Sequence, residues 1–159
     1  MLRLIILVLC LAVPDLCYSK KELELEVCTD LNPGYNEKPQ NTKAPYQFYG
    51  KQSMKSGEKI TLSLSGDTFL DFIIQAQNYR NEPIGRFNVV ESKKSKAIKC
   101  SAEEDTLINI DLYNKPMKGV QFEWLSPINY KGTVNFVATV FKDRHTFWVR
   151  KVTRKVTVI

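Results

Sequence analysis

A single histidine, His145, serves the whole 159-residue chain. It stands beside Arg144 in a segment that reads as a turn between two strands. No nucleophile is patterned next to it, so a relay that needs a base oriented against a nucleophile has no foothold. Glycine-rich phosphate loops are absent. The carboxylates Asp67, Asp71, Glu103, Glu104 and Asp105 match neither a glycosidase pair nor the loop of roughly six to eight oxygens that calcium takes. No asparagine lies in an Asn-x-Ser/Thr triplet, so N-glycosylation is not expected. No helical period persists through several turns. These absences predict a protein that is not an enzyme, carries no cofactor and no metal, and is built from strands.

Long apolar runs are missing too, with one exception at the start. "MLRLIILVLCLAVPDLCYS" places Arg3 before an apolar run from Leu4 to Val13, then small residues, with Cys17 and Ser19 suited to cleavage. The run is shorter than the about 20 residues a bilayer span needs, and Pro14 and Asp15 end it. Residues 1–19 are therefore expected to be a signal peptide and 20–159 a single exported domain with no transmembrane segment. Cysteine is scarce as well, four in all. Cys10 and Cys17 leave with the leader, so Cys28 and Cys100 remain. In an oxidising compartment that pair reads as one disulfide, closing a loop long enough to be worth about 4 kcal/mol in the chain-entropy model. The net charge is +6. A basic exported protein is drawn to anionic surfaces, although charge of that size also serves solubility.

What is abundant is short alternation. "KITLSLSG" sets Ile60, Leu62 and Leu64 against Thr61, Ser63 and Ser65. "FLDFIIQAQN" is more continuously apolar and suits a central strand. "IGRFNVV", "TLINIDLY", "GVQFEWLSP" and "GTVNFVATVF" follow, separated by turn residues. "ELELEV" (Glu22 to Val27) reads as a further strand and the lysine-rich "ESKKSKAIKC" as a connection. The pattern predicts an all-β, immunoglobulin-like antiparallel β-sandwich of about eight or nine strands. Trp124 and Trp148 are expected to fill its core. Tyr35, Tyr46 and Tyr49 fall in a long N-terminal loop.

The closing segment, "HTFWVRKVTRKVTVI", breaks the alternation near Arg150–Lys151, which predicts a bulge there. After it, Lys151, Thr153, Lys155 and Thr157 share the solvent face. Lys142, Arg144, Arg150, Lys151, Arg154 and Lys155 concentrate on this last hairpin and are the candidate anionic-surface residues. Lys151 and Lys155 stand about 13 Å apart on a rigid strand, a spacing that can bridge successive anionic groups. The lysines at 93, 94, 96 and 99 read as a solvated loop. No aromatic stacking platform points to nucleic acid.

In order along the chain, "CTDLNPGY", "APYQF", "GEKITLSLSGDTFLDFIIQAQN", "IGRFNVV" and "VQFEWLSPINYKGTVNFVATVFKDRHTFWV" resemble the reeler domain, the reelin N-terminal type. The resemblance runs from Cys28 to about Val158. A secreted chain holding one such domain is similar to the arthropod defence proteins. That likeness implies an innate-immune role and binding to microbial surfaces; the basic strip points to lipopolysaccharide or other anionic envelope glycans, with antimicrobial activity as a further expectation. The domain also occurs in extracellular-matrix proteins, so an adhesion module binding heparin-like sulfated glycans or a protein partner is the alternative. In ferric-chelate reductases it accompanies haem-binding membrane segments, which this sequence does not show.

Overall fold

The computed structural model describes residues 27–32, 36–110 and 115–159. The proposed signal peptide, the start of the single domain, Tyr35 and most of the strand expected at Glu22 to Val27 lie outside these residues. Val27 itself opens a short helical turn over 27–29.

Among the described residues ten strands run in order: β1 (Tyr46–Gly50), β2 (Ser53–Met54), β3 (Lys59–Phe69), β4 (Asp71–Gln77), β5 (Arg86–Val89), β6 (Ser95–Ile98), β7 (Thr106–Asn109), β8 (Met117–Leu125), β9 (Gly132–Phe141) and β10 (Phe147–Val158). They form a four-stranded sheet, β1-β3-β8-β5, and a six-stranded sheet, β2-β10-β9-β4-β7-β6. All pairings are antiparallel except β2 with β10, which is parallel and two residues long. The count exceeds the eight or nine expected because of this short strand, because β1 takes up Tyr46 and Tyr49, which were expected in a loop, and because the lysine-rich connection contains β6. There Ala97 pairs with Leu107, while Lys96 turns to solvent. An edge strand can carry lysines at its exposed positions without losing its ladder, and such charges discourage further pairing.

The inner faces follow the alternation. Ile60, Leu62 and Leu64 of β3 pair across to Trp124, Phe122 and Val120 of β8. They meet Phe72, Ile74, Ala76, Val134, Phe136, Ala138, Val140, Val152 and Val156 from the other sheet in one core. Rings fix its centre edge to face: Trp124 against Phe136 at 5.4 Å, Tyr46 against Trp148 at 5.6 Å. Trp124 also donates its Nε1–H to the Ile84 carbonyl at 3.0 Å, so its one polar atom is satisfied.

A second, smaller core lies on the outer face of the six-stranded sheet. Ile73, Val137, Phe141 and Phe147 pack there with Leu31 and Val27. This explains why β4 and β9 read as continuously apolar: both faces are covered. The cover is the N-terminal segment. Its carbonyls at Cys28 and Leu31 accept hydrogen bonds from Gln75 Nε2 (2.9 Å) and Thr139 Oγ1 (2.7 Å). The Cys28–Cys100 disulfide, with Cα atoms 5.2 Å apart, ties the same segment to the β6–β7 loop. It fastens a cover to one sheet and does not join the two sheets as the immunoglobulin bridge does.

Candidate functional site

The structure separates the six candidate cations into three settings. Lys142 and Arg144 are exposed in the β9–β10 turn. Lys151 and Lys155 are exposed on the outer face of β10, on the same side as Thr153 and Thr157. Phe147 and Lys155 are eight strand positions apart, about 26 Å at ordinary strand rise, so the turn cations lie far from Lys155, with Lys151 between. Arg150 and Arg154 are half-buried and engaged.

Arg154 follows the inward parity of Val152 and Val156. At the open edge of the sandwich its side chain crosses to the other sheet, donating from Nη1 to the Phe48 carbonyl at 3.0 Å and from Nη2 to the Gly50 carbonyl. It closes the free edge of β1, and its guanidinium is committed to protein.

Arg150 marks the bulge. The β10–β9 register shifts between Trp148 and Val152, and Arg150 takes a left-handed φ of 55°. Its amide donates to Thr139 Oγ1 at 3.1 Å, and its Nη2 donates to Gln77 Oε1 at 2.9 Å. Gln77 Nε2 in turn donates to Gln75 Oε1 at 2.7 Å. Gln75 Nε2 completes the relay on the Cys28 carbonyl and on Thr106 Oγ1 at 3.0 Å. Two buried amides thus hold the guanidinium to the disulfide-anchored segment. Sequence reasoning missed both glutamines as part of a site. Their signal was present: polar residues at alternate positions of the most apolar strand share one face and must find partners there.

Lys151 and Lys155 have no carboxylate partner among the described residues. Two of the four loop lysines differ: Lys94 pairs with Glu91 at 3.1 Å and Lys99 with Glu103 at 2.8 Å.

The acidic "EED" segment organises a loop around Asp105. Its carboxylate is buried and accepts from the amides of Cys100 (2.9 Å), Ser101 (2.8 Å) and Ala102 (2.7 Å), and from the Ser101 and Thr106 hydroxyls. Burial alone would raise this carboxyl, but those hydrogen bonds outweigh it and hold it below its ordinary value.

A cleft of about 510 Å³ opens between residues 36–37 and the β9–β10 turn, with Asp71 in its wall. Burial pushes the Asp71 carboxyl up to about 6. His145 closes the rim, its Nδ1 3.0 Å from Glu37 Oε1 and its amide donating to Asp143 Oδ1 at 2.9 Å. His145 is exposed and tied to a carboxylate in a turn. No group of three or more His, Cys, Asp or Glu among the described residues is arranged to hold a metal ion. No helix among them is long and apolar enough to cross a membrane.

The family comparison covers the whole of this sandwich: the reeler-domain model fits residues 26–159. The chain belongs to the reeler family. This reeler chain is 40% identical over 159 residues to the Drosophila melanogaster protein named Defense protein l(2)34Fc, covering 99% of each. It is 25% identical over 126 residues to ferric-chelate reductase 1 of Mus musculus, covering 77% of this chain but 21% of the reductase. The crystal structure of the human F-spondin reeler domain superposes with a TM-score of 0.63 at 14% identity, over 77% of this chain and 95% of that domain. That likeness is one of fold.

Proposed function

We propose that this reeler protein is a secreted, non-enzymatic defence protein that binds anionic envelope glycans through the outer face of β10. The relationship to a defence protein over nearly the full length of both chains supports the defence role. The disulfide and the leader-like residues 1–19 support export. One observation carries the binding reading: Lys151 and Lys155 project from a strand locked into the core by Val152 and Val156, and no carboxylate among the described residues neutralises them. A rigid cationic ribbon loses less conformational freedom on binding than a lysine loop does.

β10 meets β2 only at Thr157 and Val158, so most of its outer edge is unpaired and lysines there also discourage aggregation. The Lys151→Gln, Lys155→Gln double variant separates the two roles. Binding to purified lipopolysaccharide at low salt should fall and become less salt-dependent, with the protein monomeric and folded. Unchanged binding together with self-association would show that the lysines only guard the edge.

A further inference from the structure

Exposed apolar side chains gather at one end of the sandwich. Ile128 is 82% exposed and Tyr79 81%, with Ile159 at 62%; no other large apolar residue among the described residues is more than half exposed. A single exposed apolar residue is ordinary, but a cluster marks a contact surface. The register brings these together. Leu125 pairs with both Lys59 and Arg86, and Gln77 with Asn135. The turn over 55–58, the connection over 78–85 and the loop over 126–131 therefore leave the same end. Hydrogen bonds stitch two of them and residue 159 together. Ser56 Oγ donates to the Pro127 carbonyl at 3.2 Å, the Ser126 amide to the Glu58 carbonyl at 3.1 Å and the Ser56 amide to the Ile159 carbonyl at 3.0 Å. Tyr79 is near enough to Tyr130 that its charge adds to burial in raising that hydroxyl above its ordinary value.

The turns that carry Ile128 and Tyr79 are ordered. The Tyr130 amide donates to the Pro127 carbonyl at 3.3 Å, and Asn129 takes a left-handed φ of 65°, which asparagine tolerates. Asn78 Oδ1 accepts from the amides of Arg80 (2.8 Å) and Glu82 (3.1 Å). Neither turn needs an apolar side chain at its tip, so the turns alone do not explain these two residues. A groove of about 450 Å³ runs beside Ile128, lined chiefly by Gly85, Leu125 and Pro127, with Arg86. Lys55, Arg80, Arg86 and Lys131 are exposed around the tip without a carboxylate partner among the described residues. Glu58, Glu82 and Glu104 are the carboxylates nearby, and Glu82 Oε2 already accepts from Asn78 Nδ2 at 2.8 Å. The positive surplus is therefore small.

We propose that this end of the sandwich docks on a phospholipid bilayer, with Ile128 and Tyr79 entering the boundary between headgroups and acyl chains while Lys55, Arg80 and Lys131 meet anionic headgroups. A stable protein interface takes about 20–30 residues a side, whereas the apolar part of this tip is three side chains on separate segments. A bilayer asks only that apolar groups reach about 5–10 Å into its boundary. Tyrosine suits that depth, its ring in the apolar layer and its hydroxyl wet. The inference is independent of the β10 strip, which lies on a sheet face, uses other residues and binds by charge.

The test adds the whole protein to phosphatidylcholine vesicles, with and without phosphatidylglycerol, and reads partitioning by co-flotation. Both should bind, the anionic vesicles several-fold more tightly, and binding to phosphatidylcholine should change little with salt. Ile128→Asn combined with Tyr79→Ser should lower partitioning at least about tenfold on both. Arg80→Gln and Lys131→Gln should reduce only the gain from phosphatidylglycerol. Val90→Asn, on another exposed apolar residue, and Arg144→Gln, in the β9–β10 turn, should leave partitioning unchanged. Unaltered melting of each variant shows that the fold is kept. Ile128→Trp should shift its emission to the blue on vesicles and be quenched by brominated acyl chains. Binding confined to anionic vesicles and abolished by salt, or a tryptophan at 128 that is not quenched, overturns insertion. A protein that ignores vesicles but self-associates, and becomes monomeric in the Ile128→Asn, Tyr79→Ser variant, shows that the tip meets a second copy and the proposal is wrong. The Lys151→Gln, Lys155→Gln variant should partition fully. If it fails to while the tip variant still binds, the strip and not the tip holds the bilayer.

Discussion

The outer faces of the two sheets hold lysines in opposite circumstances. On the four-stranded sheet Lys59 meets Glu123 at 2.8 Å, and Asn88 donates to the same carboxylate at 3.3 Å. On the six-stranded sheet Lys151 and Lys155 stand without such a partner among the described residues, beside a region covered by the N-terminal segment. Both faces obey the same alternation. The difference lies in register: Lys59 finds its carboxylate 64 positions away because β3 and β8 align Thr61 with Glu123. The residues of β9 opposite Thr157, Lys155 and Thr153 on the outer face of β10 are Thr133, Asn135 and Val137. A neutralised lysine and a free-standing one can therefore sit in the same binary pattern, and only pairing across strands tells them apart.

The largest expected effect removes the cover. The disulfide spans 72 positions. Replacing Cys28 and Cys100 together with serine should lower unfolding free energy by about 4 kcal/mol in the chain-entropy model, read by denaturant titration. Hydrogen exchange should show the Leu31 region opening first. Exchange there no faster than in the β4 core would mean that the hydrogen bonds from Gln75 and Thr139 hold the segment unaided.

Next comes the link between the sheets. Arg154→Met keeps the aliphatic stem but removes both bonds to the β1 carbonyls, and should cost about 1–3 kcal/mol. Lipopolysaccharide binding should hardly change, because that guanidinium does not face solvent freely. A strong loss of binding with full stability would return Arg154 to the binding surface.

Two carboxylates give the six-stranded sheet an unusual pH response. Asp71 is raised from 3.8 to about 6 by burial, so the folded state holds its proton more tightly than the unfolded chain. Its contribution is greatest below pH about 4, declines as pH rises toward 6 and stays low above that. Asp105 is lowered, so its contribution is present above the ordinary carboxylate range and is lost as pH falls below about 4. Thermal melting should show stability rising as pH falls from about 6 to about 4 and falling at lower pH. Asp71→Asn should flatten the first limb, and Asp105→Asn the second. A native profile without the first limb would contradict the assignment of Asp71, and one without the second that of Asp105.

The strands were legible because Ile60–Leu64, Val120–Trp124 and Val134–Val140 alternate, and the bulge because Phe147–Val149 breaks the parity that Val152 and Val156 restore. β6 was hidden, since lysines at exposed edge positions look like a loop. The placement of the cover was hidden too: the apolar outer residues Ile73 and Val137 signalled burial on both faces but not by what. At the candidate site, the outward direction of Lys151 and Lys155 followed from parity. The commitments of Arg150 and Arg154 did not, because their partners, Gln77 and the β1 carbonyls, lie 73 and about 105 positions away and are brought near only by the folded sheets.

The smallest stability effect tests the comparison most directly. Lys59→Gln should change stability by less than about 0.5 kcal/mol, as exposed pairs generally do. Thr153→Glu builds the corresponding neutralisation on the other sheet, setting a carboxylate between Lys151 and Lys155 on the same strand face. Glutamate is a poorer strand former than threonine, but the site is solvated, so the net change in stability should again stay within about 0.5 kcal/mol. Binding to lipopolysaccharide should nevertheless fall as strongly as in the double glutamine variant, because the new carboxylate both cancels charge and repels the ligand's anions. A variant that keeps its affinity would mean that the absence of a partner for these lysines has no bearing on what the face binds.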